Sequence, residues 1–281
     1  LAGTSFAVIR KRINSINNTK KITKAMSLVA TSKLRKNKER LYINNQYKAN
    51  LHKVILNMLS SYEEGSILVD GNGSNKKLYI VITSELGLCA GYNANVISKL
   101  KESIKENNNE YGVFVIGQKG LNSIKRINYD ILKEYTDIPS VPTFKYSKNI
   151  TKDILDLYLN EEVGEVNIIY TEFISTIKRE VKVERILPID LNSDSKENEI
   201  YELENFEILD EVIKSYIEER LFNAMLNGRT SEESSRMEAM NGATKNANDI
   251  LDKLSIQYNR LRQSVITQEI SEIVGGAEAQ R

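Results

Sequence analysis

Between Gly3 and Gly65 the chain contains neither glycine nor proline. That run limits the fold more than any other feature, because those two residues are the usual punctuation of helices. It predicts one helix of roughly 55 residues, about 80 Å long. Asparagines and β-branched residues weaken its intrinsic propensity, so packing against a partner has to hold it. A 3-4 alternation runs through Ile9, Ile13 and Ile16, then Lys20, Thr23, Ser27, Ala30, Leu34, Asn37 and Leu41, and resumes at Leu51, Ile55 and Met58. This is a heptad seam with many polar or small fillings. A second row, Ile22, Met26 and Val29, runs beside it.

After this helix the period changes. The stretch "GSILVDGNGSN", residues 65–75, reads as a linker or turn. "KLYIVIT" is a short β-branched run and predicts a buried strand. "NANVISKLKESIKE" is helical, "YGVFVIG" is strand and "QKGLNSIKRI" is a short helix. "NITKDILDLYLNE" is a further helix, with Asn149 or Thr151 as its cap. "VNIIYTEF" and "REVKVERILPI" are strands. Strands alternating with helices define an α/β domain with a mainly parallel sheet.

The helical period then returns and lasts to the C-terminus. Met240, Ala243, Ala247, Ile250, Leu254, Gln257 and Leu261 step alternately by three and four. Leu251, Tyr258 and Val265 form a second row. The expected plan is therefore α/β, with a long antiparallel coiled coil of the N- and C-terminal helices and a central Rossmann-like α/β domain. Its segments are an N-terminal helix over 1–64, a central domain over 76–195 and a C-terminal helix over 204–281. Small residues on both seams allow close approach, and the face of Ala25, Met26 and Ala30 is expected against the C-terminal helix. The C-terminal helix is the longer, so it should overshoot its partner by about ten residues, roughly 15–20 Å. The overshoot, "SVITQEISEIVGGAEAQR", keeps Val265, Ile266, Ile270, Ile273 and Val274 apolar. An uncovered apolar tip of this kind implies a socket in a partner.

Charge is balanced overall, at a formal +1, but distributed unevenly. Eleven Lys and Arg and one acid, Glu39, lie between Arg10 and Arg40, whereas eight acids and one base lie between Glu199 and Glu219. Such asymmetry marks faces meant for partners. The basic helix could bind nucleic acid, giving an alternative reading as a nucleic-acid-binding coiled-coil protein. Against it, the bases occur all around the helix, and the aromatic interleaving of a single-strand binder is missing. Cys89, the single cysteine, rules out an internal disulfide. One cysteine and one histidine, His52, cannot build a Cys/His zinc site. A lone His52 on a polar helix reads as a surface residue. No apolar run approaches the roughly 20 residues of a membrane span, and "LAGTSFAVIRKR" lacks the apolar core of a secretory signal. The first residue, Leu1, reads as a non-standard start or a processed end.

The loop "TSELGLCAGYNANV" joins a strand to a helix, the place where phosphate-binding loops sit. Its spacing matches neither G-x-G-x-x-G nor G-x-x-x-x-G-K-[ST], so Gly87 and Gly91 are read as serving a tight turn. No acid pair, triad or metal cluster stands out, and no cofactor is expected. Arg236, Arg262, Gln263, Thr267 and Glu269 fall on the C-terminal helix, Arg262 and Gln263 just before the overshoot.

Three long stretches resemble the γ subunit of F-type ATP synthases. "IRKRINSINNTKKITKAMSLVATSKLRK" is similar to that family's opening helix, and "GLCAGYNANV" to its "GLCGGFN"-type loop. "SSRMEAMNGATKNANDILDKLSIQYNRLRQSVITQEISEIVGGAEA" is similar to its closing signature. The resemblance implies a central rotor shaft, non-catalytic in itself, that couples ion-driven rotation of a membrane c-ring to conformational change at β-subunit catalytic sites. It implies as partners the α and β subunits of the catalytic hexamer, the ε subunit and the c-ring, but neither nucleic acid nor a membrane span. The implied location is the cytoplasmic face of the cell membrane, peripheral, in the F1 sector. Carried over by motif, Met26, Arg236, Arg262, Gln263, Thr267 and Glu269 would contact the α/β ring, with Ile270 and Ile273 in the apolar tip. Leu86 stands where the loop commonly has a basic residue, Ala90 replaces a glycine and Tyr92 a phenylalanine. The single Cys89 leaves out the disulfide switch of the chloroplast form.

Overall fold

The computed structural model describes residues 2–60, 65–106, 110–189 and 206–278. Its elements in chain order are α1 (Ala2–Ser60), α2 (Ile67–Asp70), β1 (Lys77–Ile82), α3 (Tyr92–Glu106), β2 (Tyr111–Ile116), α4 (Gln118–Arg126), β3 (Ile131–Tyr135), α5 (Phe144–Leu159), β4 (Glu165–Phe173), β5 (Arg179–Leu187) and α6 (Phe206–Glu278). Contacts divide the chain into two compact units, one of Leu1–Ala30 with Arg236–Arg281, the other of Thr31–Ser235. Both long helices contribute to both units.

The first unit is a helical pair. Phe6 stacks on Tyr258 with ring centroids 4.7 Å apart. Thr23 Oγ1 lies 2.8 Å from Thr244 Oγ1, and Ser27 Oγ donates to Asn241 Oδ1 at 2.6 Å. As the α1 number rises the α6 number falls, so the two helices are antiparallel. On α1 the anticipated seam is the covered one: Thr23, Ser27 and Ala30 are buried, and Ile9, Ile13, Ile16 and Lys20 are half-buried. Met26 is half-buried, while Ala25, Ile22 and Val29 are exposed. Of the Ala25, Met26 and Ala30 face expected against α6, Ala30 is covered and Met26 partly so, but Ala25 is not; the covered stripe is Thr23, Ser27 and Ala30.

On α6 the seam needs a correction. Met240, Ala247 and Leu254 are buried, but Ile250 and Gln257 are exposed, and Leu251 and Tyr258 take their places. The covered seam keeps Met240, Ala247, Leu254 and Leu261 of the first row and takes Leu251 and Tyr258 from the second. The partner decides between them, because Thr244 and Tyr258 are the residues that meet Thr23 and Phe6. With Phe6 beside Tyr258, Ala2 falls near residue 262, and α6 continues to Glu278. At 1.5 Å per residue the extension is about 24 Å.

The second unit is built on a five-stranded sheet in the order β3-β2-β1-β4-β5. β1, β2, β3 and β4 are parallel, and β5 joins β4 antiparallel. Side chains alternate across the pleat, and both faces are covered. Leu78, Ile80 and Ile82 of β1 enter one core with Phe114, Ile154, Ile168, Leu221 and Ile55. Tyr79 and Val81 enter the other with Val96, Leu100, Val113 and Ile124. The helices are antiparallel here too: Asn44 Nδ2 donates to Glu219 Oε1 at 2.9 Å, and Lys33 Nζ lies 3.8 Å from Glu233.

Three local readings differ from the sequence expectation. β3 is an edge strand carrying Lys133 and Glu134, which dilute its apolar pattern. The stretch 65–75 is a packed element in which Ser66 caps α2 and Leu68 and Val69 are buried. α5 begins at Phe144 after an extended Thr143, a turn or more before the expected Asn149 or Thr151 cap. Phe144 packs edge-on against Phe222 at 5.5 Å, which draws the helix start upstream.

Ala247 is 5% exposed in a seam of small residues. An Ala247→Trp substitution should destabilise the helical pair by about 1–3 kcal/mol through overpacking. Thermal unfolding followed by circular dichroism reads this; an unchanged transition would remove Ala247 from the seam.

Candidate functional site

In a parallel α/β sheet, ligands bind outside the carboxyl ends of the strands, where the strand order reverses. Here that point lies between β1 and β4. The crevice is already filled, and its occupant is α6. Gly228 packs there so closely that a Cβ would come within 2.9 Å of Ile82 Cγ2. Ser231 Oγ donates to the Thr171 carbonyl at 3.1 Å, and the Phe173 amide donates to Asn227 Oδ1 at 3.1 Å. Thr230, Ser231, Glu232, Glu233 and Ser234 are all buried, although as a sequence they read as a polar surface.

Arg229 ties this segment to the surrounding loops. Its Nη1 donates to Glu232 Oε2 at 2.7 Å and its Nη2 to the Ile138 carbonyl at 3.1 Å. Nη2 also lies 3.9 Å from Glu85 Oε1. Glu85 accepts in turn from the Gln118 amide at 3.2 Å and from the Ile138 amide at 3.2 Å. The N-terminus of α4, the natural seat for a phosphate, is therefore capped by this chain's own carboxylate. Two further amides of that turn are also satisfied, Lys119 N by the Ser84 carbonyl at 3.0 Å and Gly120 N by Thr83 Oγ1 at 3.0 Å. At this helix end, three amides are thus satisfied within the fold itself.

The loop after β1 turns at residues other than its glycines. The left-handed conformations belong to Leu88, at φ 63°, and Ala90, at φ 50°. Cys89 between them is buried, and Asn93 Nδ2 donates to its Sγ at 3.4 Å. The glycine that resembling sequences place at position 90 thus has a physical reason, since an L-residue is strained in this region.

His52, expected at the surface, is half-buried. It stacks on Tyr216 at 6.0 Å, with Nδ1 3.2 Å from the Tyr216 hydroxyl. Burial, then the charges of Arg220 and Lys48, hold its pKa below the usual histidine value. It lines a cavity of about 130 Å³ with Ile55, Leu56, Arg185, Ile186, Ile189, Tyr216 and Arg220. No group of His, Cys, Asp and Glu among the described residues is arranged to hold a metal ion.

The partner-facing candidates are spread along the helices. Arg262, Gln263, Thr267, Glu269, Ile270 and Ile273 are exposed on the distal part of α6, where Thr267 Oγ1 donates back to the Gln263 carbonyl at 2.9 Å. Met26 is half-buried on α1, and Arg236 is 6% exposed. Beyond the reach of α1, Ile266, Ile270, Ile273 and Val274 form an exposed apolar end, with Ile273 at 71%. The bases of α1 from Arg10 to Arg40 are mostly exposed, but on all sides of the helix. They do not form the stripe that would follow a phosphate backbone. No helix among the described residues is long and apolar enough to cross a membrane.

The fold and site define a class of protein with two long antiparallel helices and a Rossmann-like domain whose ligand crevice is filled by its own helix. Comparison with known proteins gives the family. The ATP synthase family model matches residues 5–280. The chain is 49% identical to the ATP synthase gamma chain of Clostridium novyi over the full length of both, and 47% identical to that of Clostridium kluyveri over 99% of each. It belongs to the ATP synthase gamma chain family. Among solved structures it is similar to a chain of the Euglena gracilis mitochondrial ATP synthase, with a TM-score of 0.78, 18% identity, and coverage of 99% of this chain and 95% of that one. A chain of the Tetrahymena thermophila ATP synthase central stalk and c-ring matches with a TM-score of 0.62, 23% identity, and coverage of 79% and 99%. These two support the fold.

Two substitutions test the local account. Ala90→Gly should raise stability by about 0.5–1 kcal/mol by relieving the left-handed strain, read as a shift of the urea midpoint. Arg229→Met should cost about 3 kcal/mol or more, because it strips the cation from buried Glu232 and from Glu85. Unchanged stability in the second variant would mean that the clamp contributes nothing.

Proposed function

We infer that this chain is the central rotor shaft of an F-type ATP synthase. It couples ion-driven rotation of the c-ring to conformational change at the catalytic sites of the β subunits. It is a non-catalytic subunit of the F1 sector, and the catalytic chemistry belongs to β. The structural observation that carries the reading is the helical pair whose longer member runs on about 24 Å past its partner and ends in bare apolar side chains.

Within this reading, the helical pair serves the α and β subunits and the α/β domain serves the c-ring and ε. The division into helical segments 1–64 and 204–281 and a central domain 76–195 follows that split of labour. Met26, Arg236, Arg262, Gln263, Thr267 and Glu269 are proposed as contacts with the α/β ring, and Ile270 and Ile273 as the end held in its sleeve. The exposure of the distal six supports this assignment. For Arg236, burial at 6% exposure points to support of the neighbouring helix surface as well. We propose that the complex lies at the cytoplasmic face of the cell membrane, a reading that the bacterial origin of the quoted relatives supports.

Affinity purification of the tagged chain from its native membranes tests the assignment. Recovery of α, β and ε with ATPase activity is the expected result; recovery of the chain alone, or with nucleic acid, would overturn it. Deleting residues 269–281 should weaken assembly or torque and leave the α/β domain folded, because Thr31–Ser235 forms its own compact unit. Loss of the domain's cooperative unfolding in that truncation would contradict the overshoot.

A further inference from the structure

Within Thr31–Ser235, α1 and α6 meet through a buried polar cluster that the rotor reading does not use. Glu219 at its centre is fully buried. Its Oε1 accepts from Asn44 Nδ2 at 2.9 Å, and its Oε2 is closed to solvent and has no hydrogen-bond partner. Two cations stand in the same cluster, and both are directed elsewhere. Lys48 Nζ donates to Asn223 Oδ1 at 3.2 Å, and Asn223 Nδ2 passes the chain on to Asn45 Oδ1 at 2.8 Å. Arg220 pairs with Glu184, and its Nε is buried without a partner. A carboxylate with one bonded oxygen and no bonded cation is the costly form in such a site; the neutral acid is the cheap one.

The remaining neighbours cannot supply or absorb the charge. On α1, His52 is held below its usual pKa by burial and by the Arg220 and Lys48 charges, so it is neutral near pH 7. On α6, burial raises Tyr216, which therefore keeps its proton. On β4, Tyr170 is likewise raised by burial and donates to Glu184 Oε2 at 3.0 Å, while Glu172 is bound to Lys182 at 2.6 Å. On β5, Glu184 is already taken by Arg220 and Tyr170.

We propose that the Glu219 carboxyl is a proton-dependent latch between α1 and α6. Protonated, it holds the arrangement seen here. Ionised, it is a buried charge with one hydrogen bond and no bonded cation, so an opening of the two helices that lets water reach Oε2 becomes cheaper. Burial is the main cause that lifts Glu219 from its ordinary 4.5 to about 7, against the opposing pull of Lys48, the Asn44 bond and Arg220. Lys48 is lowered by burial first and by Arg220 second, so its charge too is better hydrated when the cluster opens. The sign follows from linkage. The closed state holds the proton more tightly, so the latch is strongest below the unfolded value of 4.5. It weakens as pH rises towards about 7 and is constant above that.

The test is hydrogen exchange over residues 40–52 in the assembled complex, comparing wild type with Glu219→Gln at each pH. The ratio cancels the intrinsic pH dependence of exchange. Opening in wild type relative to the variant should rise by up to about tenfold per pH unit between about pH 5 and 7, then level off. A ratio that stays constant over this range would overturn the latch. If Glu219→Gln does not fold, infrared difference spectra of the wild type decide: a protonated-carboxyl band should disappear between about pH 6 and 8, and its absence would equally overturn the proposal.

Discussion

The close approach of α6 to the carboxyl end of the sheet is the constraint on which the second unit depends. Gly228 makes it possible, because any side chain there would meet Ile82 and the Tyr92 hydroxyl. Once the helix is seated, its polar residues serve as the ligand the crevice would otherwise take. Asn227 and Ser231 satisfy the ends of β4, and Arg229 gathers Glu85, Ile138 and Glu232. The domain has a Rossmann-like sheet and uses the strand-end crevice to anchor a helix. A fold of this class says little about chemistry until the contents of its crevice are known.

Much of the architecture was legible in the sequence, and for simple reasons. The absence of Gly and Pro over 4–64 marked α1, and the 3-4 alternation from Thr23 to Leu41 found its buried side almost residue by residue. β1, β2 and β4 were visible because both faces of a parallel sheet are covered, so the strands are continuously apolar. β3 was missed because an edge strand with Lys133 and Glu134 has no such run. On α6, sequence spacing alone could not choose between Ile250 and Leu251, or between Gln257 and Tyr258. That choice belongs to the partner helix.

The least legible part was the middle of α6. Residues 229–235 have the composition of an exposed helix face, yet they are buried. Binary patterning fails there because the burial is polar on both sides, with hydroxyls and an amide answering strand carbonyls and amides. The same lesson applies at Glu219 and Asn44. The partner-facing residues of distal α6 show the opposite case. Their exposure is plain, and only the resemblance to known sequences gave them a role.

The contacts that bind α1 to α6 are also among the longest in chain separation. Thr23 waits for Thr244, 221 residues later, and Asn44 for Glu219, 175 residues later. During synthesis α1 emerges before α6, with its seam of Ile, Leu and Ala facing water while the helix that covers most of it is still unmade. The α/β sheet, with its shorter loops, can close before the helical pair does. The N-terminal half of α1 therefore waits through the synthesis of the whole α/β domain, and until α6 is made the nascent chain carries a long, half-apolar helix that is open to unwanted contacts.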